Sequence, residues 1–212
     1  MLKTISKFDN AVISDDSTIL DDIHMTNKNI AIFQREIAPL KEGLDQASQQ
    51  SIECKVSGTV EEISTALNTY FANELPAQKV LLEDILSLLA LFQRVSKGDS
   101  FRFFLATIHN NMCRKFHTDI NSLRLLCTYV GPGTIWLPEA AIDHKALRAK
   151  ASDIVLHKDL IQQAKTGDVV ILKGALYPEA EAIIHRSPTI EESGEKRLLL
   201  RIDMNESLNF WT

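Results

Sequence analysis

Phe101-Arg102-Phe103-Phe104-Leu105-Ala106-Thr107-Ile108 is the stretch at which the character of this 212-residue chain changes. Aromatic and β-branched residues dominate it, which is typical of a β-strand. Further strand-like runs follow at 122–130, 169–172 and 197–203, whereas the strongest helical pattern comes before it. Helices first and strands second predict an α+β protein whose C-terminal half is a closed or double-sheet β structure of the jelly-roll type.

The N-terminal half carries its strongest helical pattern from Ala77 to Val95. Apolar residues there cover most of the helix circumference, which predicts a helix buried on several sides. Glu83 and Asp84 interrupt the run, so core packing is a better interpretation than a membrane span. We predict that residues 1–100 form a mainly helical region that packs on a β core formed by residues 101–212.

Shorter patterns complete this half. Residues 1–28 are polar and acidic and are expected to be a lead-in to the fold. Asn29–Phe33 and Cys54–Gly58 each have the composition of a short strand. Ser57 or Thr59 is expected to cap the helix that follows, because acidic residues fill its first turn.

Composition narrows the class of protein. The chain has 28 acidic and 23 basic residues and a net charge of −5, which argues against a nucleic-acid-binding protein with a broad basic surface. The N-terminal residues lack the apolar core of a signal peptide, and no run is long enough to cross a bilayer, so we expect a cytoplasmic protein. Its three cysteines, Cys54, Cys113 and Cys127, are widely spaced, which favours reduced and mostly buried thiols over disulfides or a cysteine-rich zinc site.

His117-Thr118-Asp119 is the motif with the clearest chemistry. Residues i and i+2 of a strand share a face, so the imidazole and the carboxylate would project side by side. One further His, with His185 as the candidate, would complete a two-His, one-carboxylate face that suits non-haem Fe(II) with open coordination positions. His157-Lys158-Asp159 has the same spacing, but there Asp159 has an ordinary interpretation as a helix cap.

The order of residues around this motif resembles the double-stranded β-helix of Fe(II)/2-oxoglutarate-dependent dioxygenases. In that family a His-x-Asp, a Gly-Asp turn, a distal His, a Pro, a Gly and an Arg follow one another. The matching residues here are His117, Asp119, Gly167, Asp168, His185, Pro188, Gly194 and Arg197. The resemblance covers roughly residues 101–204.

That resemblance implies specific roles. His117, Asp119 and His185 would be the metal ligands and the catalytic centre, with Fe(II) and 2-oxoglutarate as cofactors. Arg197 would pair with the distal carboxylate of 2-oxoglutarate, because a guanidinium fork matches a carboxylate. Arg201, four residues on along the same strand face, is the fallback anchor. Tyr129 is a candidate hydrogen-bond donor to the co-substrate, with a core tyrosine as the alternative.

A closer resemblance spans most of the chain. The strings Phe116–Asp119, Arg124–Tyr129, Gly131–Thr134 and His185–Pro188 look like those of a bacterial family that carries only a domain-of-unknown-function label. Members of that family are often associated with zinc-responsive gene neighbourhoods and with metallochaperone GTPases. This resemblance implies metal biology and a possible link to such a GTPase, without naming a reaction.

Three hypotheses follow. The first is an oxygenase that acts on a small-molecule or peptide substrate the sequence does not identify. The second is a non-catalytic protein of the same fold that binds zinc in metal homeostasis, because Zn²⁺ accepts the same nitrogen and oxygen ligands. The third is an interaction module without metal, in which the histidines and Arg197 have structural roles.

Overall fold

The computed structural model describes residues 8–47 and 49–206. Within them the chain forms a large sheet of seven strands and a small sheet of three. The strands are β1 (Ala11–Ser14), β2 (Ile30–Phe33), β3 (Glu53–Gly58), β4 (Phe101–Ile108), β5 (Leu123–Val130), β6 (Ile135–Trp136), β7 (Gln162–Gln163), β8 (Val169–Lys173), β9 (His185–Arg186) and β10 (Arg197–Met204). The helices are α1 (Lys41–Ala47), α2 (Val60–Glu74), α3 (Lys79–Ser96) and α4 (His144–Arg148). Short 3₁₀ helices lie at Ser17–His24, Ala38–Leu40, Glu139–Ala141 and Lys158–Leu160.

The chain passes repeatedly between the two sheets. The large sheet has the order β1-β2-β8-β5-β10-β4-β3, and its neighbours are antiparallel except for β1 and β2. The small sheet has the order β7-β6-β9, and His117 extends it through an isolated antiparallel bridge to His185. From β4 to β10 the chain therefore passes back and forth between the sheets, as in a double-sheet jelly roll.

The N-terminal half is not a separate helical region, and this corrects the prediction for residues 1–100. Although α2 and α3 lie there, β2 pairs with β8 and β3 pairs with β4 in the same large sheet. The predicted strands at Asn29–Phe33 and Cys54–Gly58 are confirmed as β2 and β3. β1 lies inside the supposed lead-in, of which residues 1–7 fall outside the described part.

Each face of the large sheet is covered by a different layer. α2 and α3 pack on one face, where the rings of Phe92 and Phe101 lie 5.6 Å apart. The small sheet covers the other face, where Trp136 packs with Leu126 and Leu199. The predicted helix at 77–95 is thus a core helix. Over the described residues, no helix has both the length and the apolar character needed to cross a membrane.

Thr59 caps α2, one of the two positions proposed from the sequence. Its Oγ1 accepts a hydrogen bond from the Glu62 backbone N–H at 3.3 Å. The Glu62 carboxylate accepts one from the Thr59 backbone N–H at 2.8 Å. This reciprocal capping box satisfies two backbone donors at the helix start.

We expect Thr59→Ala to lower the free energy of unfolding by about 1 kcal/mol, because it removes one half of this capping box. Urea denaturation measures the effect. Thr65→Ala is the matched control, since the Thr65 hydroxyl donates only to the Glu61 carbonyl of the preceding turn. Its effect should stay within about 0.5 kcal/mol; equal losses in both variants would contradict the capping role.

Candidate metal centre

His117 and His185 are brought together by the backbone. The His117 N–H donates to the His185 carbonyl at 2.9 Å, and the His185 N–H donates to the His117 carbonyl at 3.0 Å. Directly opposed residues of an antiparallel pair place their side chains on the same face. The two imidazole rings accordingly lie 4.6 Å apart, centroid to centroid.

Backbone carbonyls orient both imidazoles so that Nε2 of each ring faces Asp119. Nδ1 of His117 lies 3.0 Å from the Lys115 carbonyl oxygen, and Nδ1 of His185 lies 3.3 Å from that of Ile183. A carbonyl only accepts, so in the neutral ring Nδ1 carries the hydrogen and Nε2 carries the lone pair. A backbone partner of this kind is what orients a metal-binding histidine.

Asp119 completes the cluster. Its Oδ1 lies 3.6 Å from Nε2 of His117, and its Oδ2 lies 3.2 Å from Nε2 of His185. One ligand atom from each of the three residues lies within 4.8 Å of the others, and no other such group occurs among the described residues. The three side chains grouped from the sequence therefore converge, whereas His157 of the second His-x-Asp motif does not join them.

A tight contact with the chain after β8 fixes the loop that carries Asp119. The Ala175 N–H donates to the Asp119 carbonyl at 2.8 Å, and the Leu176 N–H donates to the Asn121 carbonyl at 3.0 Å. A Cβ atom at Gly174 would lie 2.2 Å from the Asn121 carbonyl oxygen, so only glycine allows this approach. The carboxylate is thus positioned by backbone contacts.

The electrostatics of the cluster favour an ionised carboxylate. Burial opposes ionisation of Asp119, but hydrogen bonds from His117 and His185 and the positive charge of Arg124 hold its pKa well below the usual range. The hydrogen bond to Asp119 in turn raises the pKa of His117. The His117 side chain is 33% exposed and the His185 side chain 5%, so the cluster opens to solvent on the His117 side.

A row of charges continues from Asp119 across the large sheet. Arg124 forms ion pairs with both Asp119 and Asp203, its cross-strand neighbour on β10. Arg201 in turn lies 3.3 Å from the Asp203 carboxylate, and its guanidinium stands 4.9 Å from the centre of the Phe104 ring. The fallback anchor Arg201 therefore already has a carboxylate partner.

Arg197 has no such partner. It is 1% exposed, and the one hydrogen bond of its side chain to a described residue runs from Nη2 to the Thr128 hydroxyl at 3.1 Å. Its Nε has no hydrogen-bond partner among the described residues, and no carboxylate there lies within ion-pairing distance. Burial lowers the pKa of Arg197 to about 10. A buried guanidinium without a counter-ion lowers the stability of the fold unless an anion binds beside it.

Strand alternation directs these side chains into the space between the two sheets. On β10, Leu198 and Leu200 pack on the helix side, whereas Leu199 packs against the small sheet. Arg197 shares the face of Leu199, and Thr128 on β5 shares it as well. Gly131, which follows β5, has a φ of +80° and approaches the residue before β10 closely. A Cβ atom at Gly131 would lie 2.1 Å from the Lys196 carbonyl oxygen, so only glycine fits there.

Tyr129 lies on the other face of β5. Its hydroxyl donates to the Asp84 carboxylate of α3 at 2.6 Å, and Arg35 pairs with the same carboxylate. Burial raises the pKa of Tyr129 well above its usual value. The structure therefore places Tyr129 in the helix-side core, and Thr128 is the hydroxyl that meets Arg197.

The cysteines stand apart from this cluster. All three are free: Cys54 and Cys127 are buried, and Cys113 is exposed. Burial raises the pKa of Cys127 to about 12. This agrees with the expectation of reduced, mostly buried thiols.

Two members of this site were not singled out from the sequence, namely Thr128 and Asp203. A signal was present for each, because Thr128 is four residues from Arg124 and Asp203 is two residues from Arg201. Even spacing on a strand puts such residues on one face. That signal depends on knowing which face of each strand points toward the small sheet.

Comparison with known proteins gives one match over most of the chain. A family model described as "Protein of unknown function (DUF1826)" matches residues 14–203. No curated protein matches the sequence.

Solved structures of similar shape include a prolyl-4-hydroxylase of Pseudomonas putida. It is 12% identical, with a TM-score of 0.42 over 88% of this chain and 96% of that chain. A protein of Caulobacter crescentus, assigned to the 2OG-Fe(II) oxygenase family, is 12% identical, with a TM-score of 0.43 over 92% of this chain and 85% of that chain. Both resemblances are distant.

Proposed function

The chain belongs to the DUF1826 family, and we propose that it is an iron(II)- and 2-oxoglutarate-dependent oxygenase built on a double-stranded β-helix. His117, Asp119 and His185 would hold the iron, and Arg197 with Thr128 would bind the distal carboxylate of 2-oxoglutarate. The passage of the chain between two antiparallel sheets from β4 to β10 supports the proposed frame.

The donor set fits the proposed metal. Two imidazole nitrogens and one carboxylate, all within 4.8 Å, leave coordination positions free on an iron(II) ion. The ion would bind Nε2 of each neutral imidazole, the position that a proton occupies in the charged ring, as expected for ligands that must be deprotonated to bind a metal. Zinc accepts the same donors, so the metal site alone does not decide between an oxygenase and a zinc-binding protein.

The observation that carries the choice is Arg197. A buried guanidinium with one hydroxyl partner and no carboxylate lies on the same face of β10 as Asp203, which Arg124 links to Asp119. Burying a guanidinium without a counter-ion lowers the stability of the fold, and metal binding alone does not require such a group. A dicarboxylate such as 2-oxoglutarate supplies both a metal-chelating end and a counter-ion for Arg197.

The roles of the chain's own groups follow from the contacts. The carbonyls of Lys115 and Ile183 would orient the two imidazoles, and Arg124 would keep Asp119 ionised. Arg197 and Thr128 would fix the direction of the co-substrate, while the apolar side chains around Trp136 exclude water. When bound, iron(II) and 2-oxoglutarate supply the activation of dioxygen for oxidation of a substrate C–H bond.

Protein loaded with iron(II) should consume 2-oxoglutarate in air, and His117→Ala should not. Metal analysis of protein purified without added metal provides the companion measurement. Zinc in that preparation, together with no consumption of 2-oxoglutarate by the iron-loaded form, would favour the metal-homeostasis alternative instead. Absence of any bound metal would favour the interaction module.

A further inference from the structure

A cavity of about 610 Å³ lies beside the small sheet and is not part of the metal cluster. Three segments of chain form its wall: residues 114–116 before His117, residues from 150 to 161 after α4, and Arg186 after His185. Its volume is in the range of pockets that hold small organic ligands.

The cavity and the metal cluster lie on opposite faces of the same strand pair. Neighbouring residues of a strand point to opposite faces, so Phe116 and Arg186 project away from His117 and His185. Their contact agrees with this, because the Arg186 guanidinium stands 5.1 Å from the centre of the Phe116 ring. A ligand in the cavity would rest on residues adjacent to both histidines, without sharing their face.

Positive charge dominates the cavity wall. It carries five basic side chains and one acidic side chain, Asp153, although the whole chain has a net charge of −5. The basic residues are Arg114, Lys115, Lys150, Lys158 and Arg186. A concave wall of one sign concentrates the field and attracts counter-ions of the opposite sign.

Most of that charge is uncompensated within the described residues. Arg114 is the exception, because it pairs with Glu191 at 2.8 Å and with Glu192 at 3.6 Å. Lys115, Lys150 and Lys158 make no ion pair with any described residue. The Asp153 carboxylate accepts the Val155 backbone N–H at 3.0 Å.

Apart from Ser152, the rest of the wall is apolar. Ile154, Val155, Ile161 and Phe116 belong to the small hydrophobic cluster behind the small sheet. A ligand that suits this cavity therefore combines a multiply charged anionic part with an apolar part. A free inorganic anion would occupy only the charged part of this cavity, so it can serve as a probe of that part alone.

We propose that this cavity is a binding site for a phosphate-bearing small molecule, separate from the metal centre. Lysine ammonium groups act as point charges and bind phosphate well, and each phosphate carries up to about two negative charges against the unpaired lysines. An extended nucleic acid fits less well, because Glu191 and Glu192 lie at the rim beside Arg114 and would repel it.

Titration calorimetry of the full-length, metal-free protein with inorganic tripolyphosphate tests the site. Lys150→Gln/Lys158→Gln should weaken binding by roughly 10-fold or more, since it removes two of the unpaired charges. Lys41→Gln/Lys79→Gln is the control with the same change in net charge, because both lysines are exposed and lie outside the cavity. Its affinity should match that of the wild type.

A second arm uses 1,2,3,4-butanetetracarboxylate, which carries a similar charge on carboxylates. We expect it to bind at least about 10-fold more weakly than tripolyphosphate, and both affinities to fall with added salt. Absence of tripolyphosphate binding to the wild type would overturn the proposal. So would equal losses in the two lysine variants, or equal affinities for the two anions. The metal-free form keeps these outcomes independent of the proposed iron chemistry.

Discussion

His185→Ala should abolish stoichiometric binding of a divalent metal, lowering the affinity by more than about 100-fold. In known metal sites, loss of a residue that is hydrogen-bonded to a ligand lowers metal affinity by about 10- to 100-fold. The His185→Ala change removes a ligand itself. The His185 side chain is 5% exposed and its Nε2 lies 3.2 Å from the Asp119 carboxylate, so no neighbouring side chain can replace this nitrogen without moving the bridge to His117. Anaerobic titration with iron(II), or with manganese(II) as a stable substitute, measures the affinity.

His157→Ala is the matched control for this experiment. His157 belongs to the second His-x-Asp motif, is exposed, and lies outside the cluster. Its removal should leave metal affinity unchanged. Because His185 is buried, Asp119→Asn provides a near-isosteric second variant that should also lose the metal. Wild-type affinity in both His185→Ala and Asp119→Asn would contradict the assignment of these ligands.

Arg197→Met is expected to make the protein more stable while removing its affinity for 2-oxoglutarate. Methionine has a similar length and fills the space without an uncompensated charge, so the free energy of unfolding should rise by about 1–3 kcal/mol. Loss of the buried partner of a carboxylate should cost about 2–5 kcal/mol of binding free energy. Urea denaturation and calorimetric titration of the iron-loaded protein with 2-oxoglutarate measure the two effects.

The Arg201→Met variant distinguishes the role of Arg197 from that of Arg201, which lies on the same face of β10. Arg201 already pairs with Asp203 and stands over Phe104, so its loss should weaken 2-oxoglutarate binding far less than the loss of Arg197. A stable Arg201→Met variant without 2-oxoglutarate affinity, beside an Arg197→Met variant that retains it, would move the anchor to Arg201. A destabilised Arg197→Met variant would show that Arg197 has a structural partner.

The convergence of His117, Asp119 and His185 could be predicted because it depends on order along the chain and on the spacing of a His-x-Asp motif. The prediction also needed a strand at His117, and the structure supplies only a single bridge there. That bridge is enough, because its two hydrogen bonds fix His117 directly opposite His185.

The placement of Tyr129 could not be predicted in the same way. Tyr129 and Thr128 are neighbours on β5, and a shift of one residue exchanges the face toward the helices for the face toward the small sheet. Tyr129 forms a contact with Asp84 of α3, a residue 45 positions away in the sequence. Local pattern carries no information about a partner at that distance.

The N-terminal strands show the same limit. β1 consists of Ala11–Ser14, a run too short for its alternation to stand out in an acidic segment. Its partner β2 pairs with β8, so the order of the sheet depends on contacts between residues more than a hundred positions apart. Sequence pattern identified β2 and β3 as strands, but not the sheet they join.

Titration of the iron(II)-loaded wild-type protein with 2-oxoglutarate in the absence of oxygen tests the central claim most directly. We predict one 2-oxoglutarate bound per chain, with an affinity that falls sharply when the iron is removed, because one end of the molecule chelates the metal and the other pairs with Arg197. No binding to the iron-loaded protein, or binding that is unchanged by removal of the metal, would contradict the claim.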